Sequence, residues 1–225
     1  MWFAGPARRV PDAGRPAVLR PGFDLAPGMR VGLYGGSFNP AHAGHLHVAR
    51  TALRRLGLDR VIWLVSPQNP LKSAAHTSSL ADRMAAVRGL ATGPSMIVSD
   101  IETRIGSAYT IDTLRVLQAR WPDVKFVWLM GADNLAQFHR WRGWTEIMRS
   151  VPVAVISRPG AMLRSRFSPA AQRFSSSRLP AEAAPVLAGL SPPAWIYLPV
   201  PLNHLSSTML RERAKRLETG SPNTP

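Results

Sequence analysis

The sequence predicts a doubly wound α/β fold with a mostly parallel sheet, built as a single domain. Strand-like runs alternate with helical patterns along most of the chain, which is the pattern of sheets covered by helices on both faces. Two of the runs are almost entirely apolar, VIWLV at 61–65 and VPVAVI at 151–156, as strands buried on both faces require. The length of 225 residues suits one domain with appendages.

The first half of the chain gives five elements from this alternation. Short apolar runs predict strands, and longer segments with helical spacing of apolar residues predict helices. The order is a strand at 30–34, a helix at 44–56, a strand at 60–66, a helix at 79–90 and a strand at 95–99.

The second half continues the pattern and then interrupts it. The predicted elements are a helix at 108–120, a strand at 124–130, a short helical region to about 150, a strand at 151–157, a strand at 195–198 and a helix at about 206–217. Residues 161–193 contain a serine run and several prolines, so we expect an irregular excursion with one or two short helices.

The ends of the chain are predicted to lie outside the domain. Residues 1–28 are rich in Pro, Gly, Ala and Arg and show no periodicity, so we expect a mobile extension that adds nothing to the core. The domain then covers 29–218, and 219–225 form a flexible tail. The first residues lack the apolar segment of a secretory signal, and no apolar run is long enough for a membrane span, so we expect a cytoplasmic protein without membrane partners.

Charge and cysteine content narrow the function classes. The formal net charge of +15, from 28 basic and 13 acidic residues, first suggests a polyanionic partner such as nucleic acid. The excess is spread along the chain without a block of five or six like charges, whereas a dedicated nucleic-acid arm is usually blockier. The chain contains no cysteine, which excludes disulfide scaffolds, thiolate zinc sites and cysteine nucleophiles.

The strongest motif is GGSFNPAHAGH at 35–45, placed between the first strand and the first long helix. In a doubly wound sheet this loop lies at the ligand-binding carboxyl edge. Its two glycines are expected to permit positive φ and a close approach of phosphates, and the helix N-terminus supplies unpaired N–H groups. The spacing fits neither GxxxxGK[ST] nor GxGxxG, which disfavours kinase-type phosphoryl transfer and dinucleotide binding.

His42 and His45 stand three residues apart at the helix start, so both can point toward one bound group. Either residue alone fits a capping or packing role. A metal pair is a second alternative, but no carboxylate stands beside them to complete a cage, and we predict no metal site. Donation from the histidines to a phosphate fits best, since Gly44 between them leaves room for a ligand. His47 falls on another face of the helix and is interpreted as structural.

A second motif, SSTMLR at 206–211, opens the last predicted helix. Any one of its hydroxyls fits an ordinary N-cap. Arg211 lies one turn beyond Ser207 and Thr208, so a guanidinium, hydroxyls and backbone N–H groups can converge on one anion. The 35–45 loop, the GAD segment at 131–133 and Arg158 also all follow predicted strands, so one sheet edge gathers them into one crevice.

Taken together, these motifs resemble the HxGH nucleotidyltransferase superfamily, and most closely the bacterial nicotinate-nucleotide adenylyltransferases. The family's GGSFNPxHxGH is complete at 35–45, and its ISSTxIR is present as LSSTMLR at 205–211. YTIDTL at 109–114 resembles the family's YTxDTL. The resemblance covers roughly residues 30–217 and implies a Rossmann-like nucleotidyltransferase fold.

The resemblance also implies an activity. Enzymes of this family join ATP and nicotinate mononucleotide, with Mg²⁺ bound to the ATP, and release pyrophosphate and deamido-NAD without a covalent intermediate. By this analogy His42, His45 and Arg211 act in catalysis. The residues implied to bind ATP are Gly35, Gly36, Ser37, Phe38, His42, His45, Asp133, Ser207, Thr208 and Arg211. Those implied to bind the mononucleotide are Asn39, Lys72, Thr110, Trp141 and Arg158.

Several of these residues also fit ordinary structural roles. Thr110 fits a helix cap, 131–133 a surface turn, Trp141 a core side chain and Arg158 an exposed arginine. Two departures from the family also bear on the acceptor. The segment after the second strand has Leu71 before Lys72 where many relatives have histidine, and Arg142 follows Trp141 where some relatives have tyrosine.

Two alternative functions therefore remain open. One is an HxGH adenylyltransferase that acts on nicotinamide mononucleotide or phosphopantetheine. The other is a basic nucleic-acid-binding protein, which would bind tightly with a steep salt dependence. The sequence makes no prediction of oligomeric state.

Overall fold

A computed structural model describes residues 21–67, 78–157 and 165–199. In this part of the chain a single sheet contains seven strands, all paired in parallel. The strands are β1 (Arg30–Gly36), β2 (Arg60–Val65), β3 (Met96–Ser99), β4 (Lys125–Gly131), β5 (Val153–Ile156), β6 (Arg178–Leu179) and β7 (Trp195–Leu198).

Seven α-helices connect these strands in the described residues. They are α1 (Ala43–Leu56), α2 (Leu80–Leu90), α3 (Ile101–Arg104), α4 (Thr110–Arg120), α5 (Ala132–Gln137), α6 (Trp144–Ser150) and α7 (Pro169–Arg173). Their starts follow local chemistry: the Ser79 hydroxyl accepts from Asp82 N–H at 3.1 Å before α2, and Ser168 caps α7 with Pro169 in its first turn. Within these residues no helix combines the length and apolarity needed to cross a membrane.

The strand order β3-β2-β1-β4-β5-β7-β6 places the functional edge. The chain builds outward from β1 to β3 and then returns to the other side of β1 with β4. This reversal between β1 and β4 is a topological switch point, where open α/β sheets bind ligands at the carboxyl ends of the strands. The ends of these two strands, at Gly36 and Gly131, therefore flank the expected crevice.

The core has one apolar layer on each face of the sheet. Ile62 and Leu64 of β2 face the layer beneath α3 to α7, while Trp63 and Val65 face the layer beneath α1 and α2. This alternation follows from the two-residue period of a strand. Since both faces are covered by helices, the strands are apolar almost throughout, as the sequence indicated.

The predicted fold class is confirmed, and most strand positions agree within two residues. β7 coincides with the prediction at 195–198, and β1 runs two residues further than predicted, to Gly36. The two-residue β6 and the four-residue α3 were not predicted, because elements this short carry no periodic signal. The predicted helix at 206–217 lies outside the described residues.

The segment before β1 differs from its prediction. Leu25 is only 6% exposed and belongs to the core layer beneath α4, the Phe23 ring stacks on Trp121 at 5.3 Å, and Trp121 Nε1–H donates to Asp24 at 3.2 Å. This hydrogen bond also lowers the pKa of Asp24. Residues 23–25 therefore contribute to the core, contrary to the prediction for 1–28. This contact was not predictable, because a docked segment of three residues shows no periodicity.

The docking of residues 23–25 predicts that truncation of Leu25 destabilises the protein. Leu25→Ala should lower the free energy of unfolding by about 2–3 kcal/mol, because truncation of a buried leucine loses apolar contact and leaves a cavity. Val186→Ala is the control, since Val186 is 58% exposed and its truncation should cost under about 0.5 kcal/mol. Urea denaturation measures both. Equal, small changes would show that residues 23–25 do not dock.

Candidate active site

The 35–45 segment, which joins β1 to α1 at the switch point, contains six of the ten predicted ATP-binding residues. Gly35 and Gly36 end β1, and α1 begins at Ala43. The side chains between them differ in accessibility: Ser37 is half-buried, while Phe38 and Asn39 are buried. We therefore assign any contact of Phe38 with a ligand to its main chain.

The two glycines that end β1 do not have the predicted positive φ. Gly35 and Gly36 lie in the strand and are not among the residues with positive φ. A Cβ at Gly35 would lie 2.5 Å from Cη2 of Trp128, which is 1% exposed on the neighbouring strand β4. The prediction of positive φ was thus wrong. Gly35 is required because an indole ring occupies the place of a side chain.

Positive φ occurs instead at Phe38, at +46°. Such a conformation is unfavourable for a residue with a large side chain, and it persists only where the surroundings enforce it. The Phe38 ring is held by edge-on contacts with Tyr34 at 5.4 Å and His45 at 5.1 Å, and it also packs against Trp63. The loop is therefore anchored by an aromatic cluster that also contacts one of the two motif histidines.

His42 and His45 form a reciprocal cap at the start of α1. The N–H of Gly44 donates to Nδ1 of His42 at 3.0 Å, and the N–H of His42 donates to Nδ1 of His45 at 3.3 Å. The two rings lie 3.9 Å apart between centroids, and both residues are less than 10% exposed. The capping alternative is therefore correct for both residues.

The capping bonds also determine the chemistry of the two rings. A nitrogen that accepts a hydrogen bond carries no proton, so in each neutral ring the proton resides on Nε2. Each histidine then presents an N–H donor from the opposite side of the ring to its cap. Capping and donation to a phosphate are thus compatible. No cluster of three or more His, Cys, Asp or Glu residues that could hold a metal occurs in the described ranges.

A second group of predicted residues lies around the start of α4. Arg142 stacks over the Tyr109 ring at 4.7 Å, and a Cβ at Gly143 would meet Ile111 at 3.3 Å. The segment after Trp141 therefore packs on the YTIDTL motif. Tyr109, not Thr110, occupies the N-cap position, so the interpretation of Thr110 as a helix cap is wrong.

Trp141 connects this group to the glycine-rich loop. Its ring is half-buried and contacts Trp128 edge-on at 6.3 Å, and Trp128 in turn lies against Gly35. Phe138 supports the Trp141 ring from another direction, at 5.2 Å. Since Trp141 remains partly accessible, it is neither fully a core residue nor fully a surface residue.

Asp133 lies in the first turn of α5, directly after β4. Its side chain is exposed on the far side of the switch point from the histidine pair. Because α5 begins immediately after β4, the alternative of a surface turn at 131–133 is wrong. A carboxylate at this position can accept hydrogen bonds from sugar hydroxyls.

Two buried charged residues at the same sheet edge were missed by the sequence analysis. One is Arg83 on α2, which is 2% exposed and donates to main-chain carbonyls of the glycine-rich loop and of the segment after β2. Its signal was available, since Arg83 falls within the apolar stripe of α2 formed by Leu80, Met84 and Val87. A charged residue at a predicted buried position usually has a specific partner.

Glu102 on α3 is the other missed residue. It is 2% exposed, accepts a hydrogen bond from the Ser66 hydroxyl, and lies 3.4 Å from the Thr113 hydroxyl oxygen of α4. Ser66 N–H also donates to Gly36 at 3.1 Å. Glu102 thus joins the end of β1, the end of β2 and the YTIDTL helix. Burial raises the pKa of the Glu102 carboxyl, although the two hydroxyls oppose that shift.

The raised pKa of Glu102 makes the stability depend on pH. The folded state holds the Glu102 proton more tightly than the unfolded chain, so this contribution is complete below about pH 4.5 and is lost as pH rises through the folded pKa. Glu102→Gln keeps the shape and does not titrate. We expect the stability of the variant relative to the wild type to increase as pH rises above about 4.5.

Chemical denaturation at a series of pH values tests this expectation. Other groups titrate in the same way in both proteins, so their contributions cancel in the difference between the two free energies of unfolding. Val186→Ala, which removes only an exposed apolar side chain, is the control and should give a difference that does not vary with pH in this range. A pH-independent difference for Glu102→Gln would show that Glu102 titrates normally.

Five predicted site residues lie outside the described residues. They are Lys72, Arg158, Ser207, Thr208 and Arg211. Their roles remain predictions from the motifs. The described residues nevertheless bring together the glycine-rich loop, the histidine pair, Asp133, Thr110 and Trp141 at one edge of the sheet.

Known proteins are similar to this chain in sequence and in architecture. The cytidylyltransferase-like family model matches residues 33–213. A probable nicotinate-nucleotide adenylyltransferase of a Caulobacter species is 70% identical over 185 residues, which are 82% of this chain and 98% of that protein. A protein of the same name from Methylorubrum extorquens is 58% identical over 82% of this chain and 100% of its own length.

The solved structures agree on the fold. The Plasmodium falciparum nicotinic acid mononucleotide adenylyltransferase complexed with NaAD matches with a TM-score of 0.63 over 82% of this chain and 83% of that one. Its sequence identity of 14% makes this similarity a statement about architecture alone. The relatives with high identity carry the assignment: this chain belongs to the nicotinate-nucleotide adenylyltransferase family within the cytidylyltransferase-like proteins.

Proposed function

We propose that this enzyme transfers the adenylyl group of ATP to nicotinate mononucleotide, giving deamido-NAD and pyrophosphate in NAD biosynthesis. The observation that carries the proposal is the reciprocal cap of His42 and His45 at the switch point, in a chain that belongs to this family. The cap uses Nδ1 of both imidazoles and so leaves the proton on Nε2 of each ring, at the sheet edge where such folds bind nucleotides.

The reaction needs position and charge stabilisation. A phosphate oxygen of nicotinate mononucleotide attacks the α-phosphorus of ATP in line, the bond from that phosphorus to the β-phosphate oxygen breaks, and pyrophosphate leaves. His42 and His45 donate from Nε2 to ATP phosphate oxygens, where negative charge accumulates. Arg211, Ser207 and Thr208 are proposed to bind the same phosphates from the second motif. No protein nucleophile takes part.

The remaining predicted residues are proposed to hold the two substrates in place. Gly35, Gly36, Ser37 and the Phe38 main chain border the ATP phosphates, and Asp133 accepts from the ATP ribose. The half-buried Trp141 ring packs on the pyridine ring beside Thr110. Asn39, Lys72 and Arg158 complete the mononucleotide site in this proposal.

Mg²⁺ is proposed to enter as part of the ATP substrate. Bound to the phosphates, it would neutralise charge that otherwise repels the attacking phosphate. We assign no resident metal to the protein. We also infer a cytoplasmic location, where ATP is supplied, and one catalytic domain that runs from about residue 23 to residue 218 with 219–225 as a tail.

An acceptor-specificity assay tests the function. Purified protein is incubated with ATP, Mg²⁺ and nicotinate mononucleotide, nicotinamide mononucleotide or phosphopantetheine, and pyrophosphate release is measured. We expect the highest kcat/KM with nicotinate mononucleotide. Equal or better turnover with nicotinamide mononucleotide would remove the deamido-NAD assignment, and turnover only with phosphopantetheine would change the substrate class.

The same assay, together with a nucleic-acid binding measurement, tests whether the net charge of +15 reflects a nucleic-acid partner. We expect full activity without nucleic acid, and only weak binding of nucleic acid that shows no sequence preference. Tight binding with a steep salt slope, together with no turnover of any acceptor, would favour the nucleic-acid-binding alternative.

A further inference from the structure

Arg83 is a buried arginine, and the hydrogen bonds that it forms with described residues all go to neutral oxygens. Nη1 donates to the carbonyls of Ser37 at 2.8 Å and Ser66 at 2.7 Å, and Nη2 donates to that of Pro67 at 2.8 Å. Nε donates to Ser78 at 3.1 Å. Four carbonyl oxygens therefore surround one guanidinium that is 2% exposed.

These carbonyls belong to three separate parts of the chain. Ser37 lies in the glycine-rich loop, Ser66 and Pro67 follow β2, and Ser78 precedes α2. Each part lies outside the strands and helices at the carboxyl edge of the sheet, although Ser66 N–H still donates to Gly36 at the end of β1. The planar fork of a guanidinium can satisfy several carbonyls in fixed directions at once, which the single ammonium of lysine cannot.

The charge of Arg83 is retained at this position. Burial lowers the pKa of its guanidinium, but an arginine remains protonated at neutral pH. None of the ion pairs found between described residues includes Arg83. Burial of a cation costs free energy. Apolar side chains of similar volume often fill such sites with no loss of stability, so a contribution to stability is not by itself a sufficient explanation for Arg83.

The position of Arg83 relative to the glycine-rich loop indicates what this residue does. Ser37 is one residue before Phe38, whose ring packs against His45. A shift of the Ser37 carbonyl would therefore move the strained Phe38 and the histidine pair with it. The cation also lies directly behind the loop that the proposed function places against polyanionic substrate.

We propose that Arg83 is a positioning residue for adenylyl transfer, which holds the glycine-rich loop and its histidines in the geometry that the transition state requires. This inference rests on the proposed function. Arg83 acts through the Ser37 carbonyl and does not contact substrate. Its role is separable from folding, because misplacement of the phosphate donors lowers kcat in a protein that is still folded.

Substitution of Arg83 tests the proposal in the full chain. Arg83→Met is expected to lower kcat by about 10²-fold, the cost of a displacement near 1 Å of reacting groups, while the KM for nicotinate mononucleotide changes less than about threefold. Arg83→Lys keeps the charge and part of the hydrogen bonding, so its kcat should fall only about threefold to tenfold and stay above that of Arg83→Met.

Arg88→Met is the matched control, since Arg88 is an exposed arginine on the same helix and should leave kcat unchanged. Circular dichroism and thermal unfolding establish which variants are folded at the assay temperature. If Arg83→Met does not fold, Arg83→Lys carries the test, with an expected loss of kcat between about threefold and tenfold at constant acceptor KM.

The outcomes separate the inference from the function on which it rests. Wild-type kcat in a folded Arg83→Met or Arg83→Lys protein overturns the positioning role, as does a loss confined to the KM for the acceptor. No turnover by the wild-type protein overturns the proposed function instead.

Discussion

His45→Ala is expected to lower kcat for adenylyl transfer by about 10² to 10³, the loss typical when one preorganised donor to a developing charge is removed. The Nδ1 of His45 accepts from the His42 N–H at 3.3 Å, so the proton of the neutral ring resides on Nε2 and is directed toward the proposed ATP phosphates. Initial rates of pyrophosphate release at saturating ATP and nicotinate mononucleotide measure this change.

The same substitution also removes half of the reciprocal cap, which should cost about 1 kcal/mol of stability. Denaturation of the variant therefore accompanies the kinetics. His47→Ala is the control, because His47 lies on the same helix but belongs to neither hydrogen bond of the cap. A folded His45→Ala protein with near-wild-type kcat would contradict the role of His45 at the phosphates.

Gly35→Ala is expected to destabilise the protein by about 1–3 kcal/mol, the usual cost of a methyl group forced into a packed core. The new Cβ would lie 2.5 Å from Cη2 and 2.9 Å from Cζ2 of Trp128, a rigid ring that is 1% exposed. Urea denaturation measures the loss. Gly89→Ala on α2 is the control: a Cβ there meets nothing within 4 Å, so it should be neutral or stabilising by up to about 1 kcal/mol.

A double-mutant cycle identifies Trp128 as the cause. In a Trp128→Leu background the indole is absent, so the additional cost of Gly35→Ala should fall below about 0.5 kcal/mol. An unchanged cost in that background would show that the backbone of β1, and not the indole, requires glycine at this position.

The sequence predicted the elements whose signal is local. Within the described residues, the apolar strands, the long helices and the GGSFNPAHAGH loop appear where the alternation and the motif place them, because each is encoded by consecutive residues. The docking of Leu25 was not predictable in this way. Its partners lie in the core layer beneath α4, about a hundred residues further along the chain, and no local periodicity reports such a contact.

The candidate site residues also divide into those with a local sequence signal and those whose contacts come from distant segments. His42, His45 and Trp141 were predicted as site residues because the family resemblance singles them out. Arg83 and Glu102 belong to none, and their importance appears only when the carbonyls of Ser37 and Ser66 and the hydroxyl of Ser66 converge on them. A charged residue inside an apolar stripe is a useful sequence signal for such positions, but it does not name the partners.

The sequence by itself determined the fold class, the family resemblance and the histidine pair, because periodicity and motif spacing are properties of neighbouring residues. Only the tertiary structure decided why Gly35 is glycine, which ring nitrogens donate and which buried charges support the loop. These depend on side chains brought from other strands and helices: an indole from β4, a guanidinium from α2 and a carboxyl from α3. Packing distances between such segments are set by the assembled sheet.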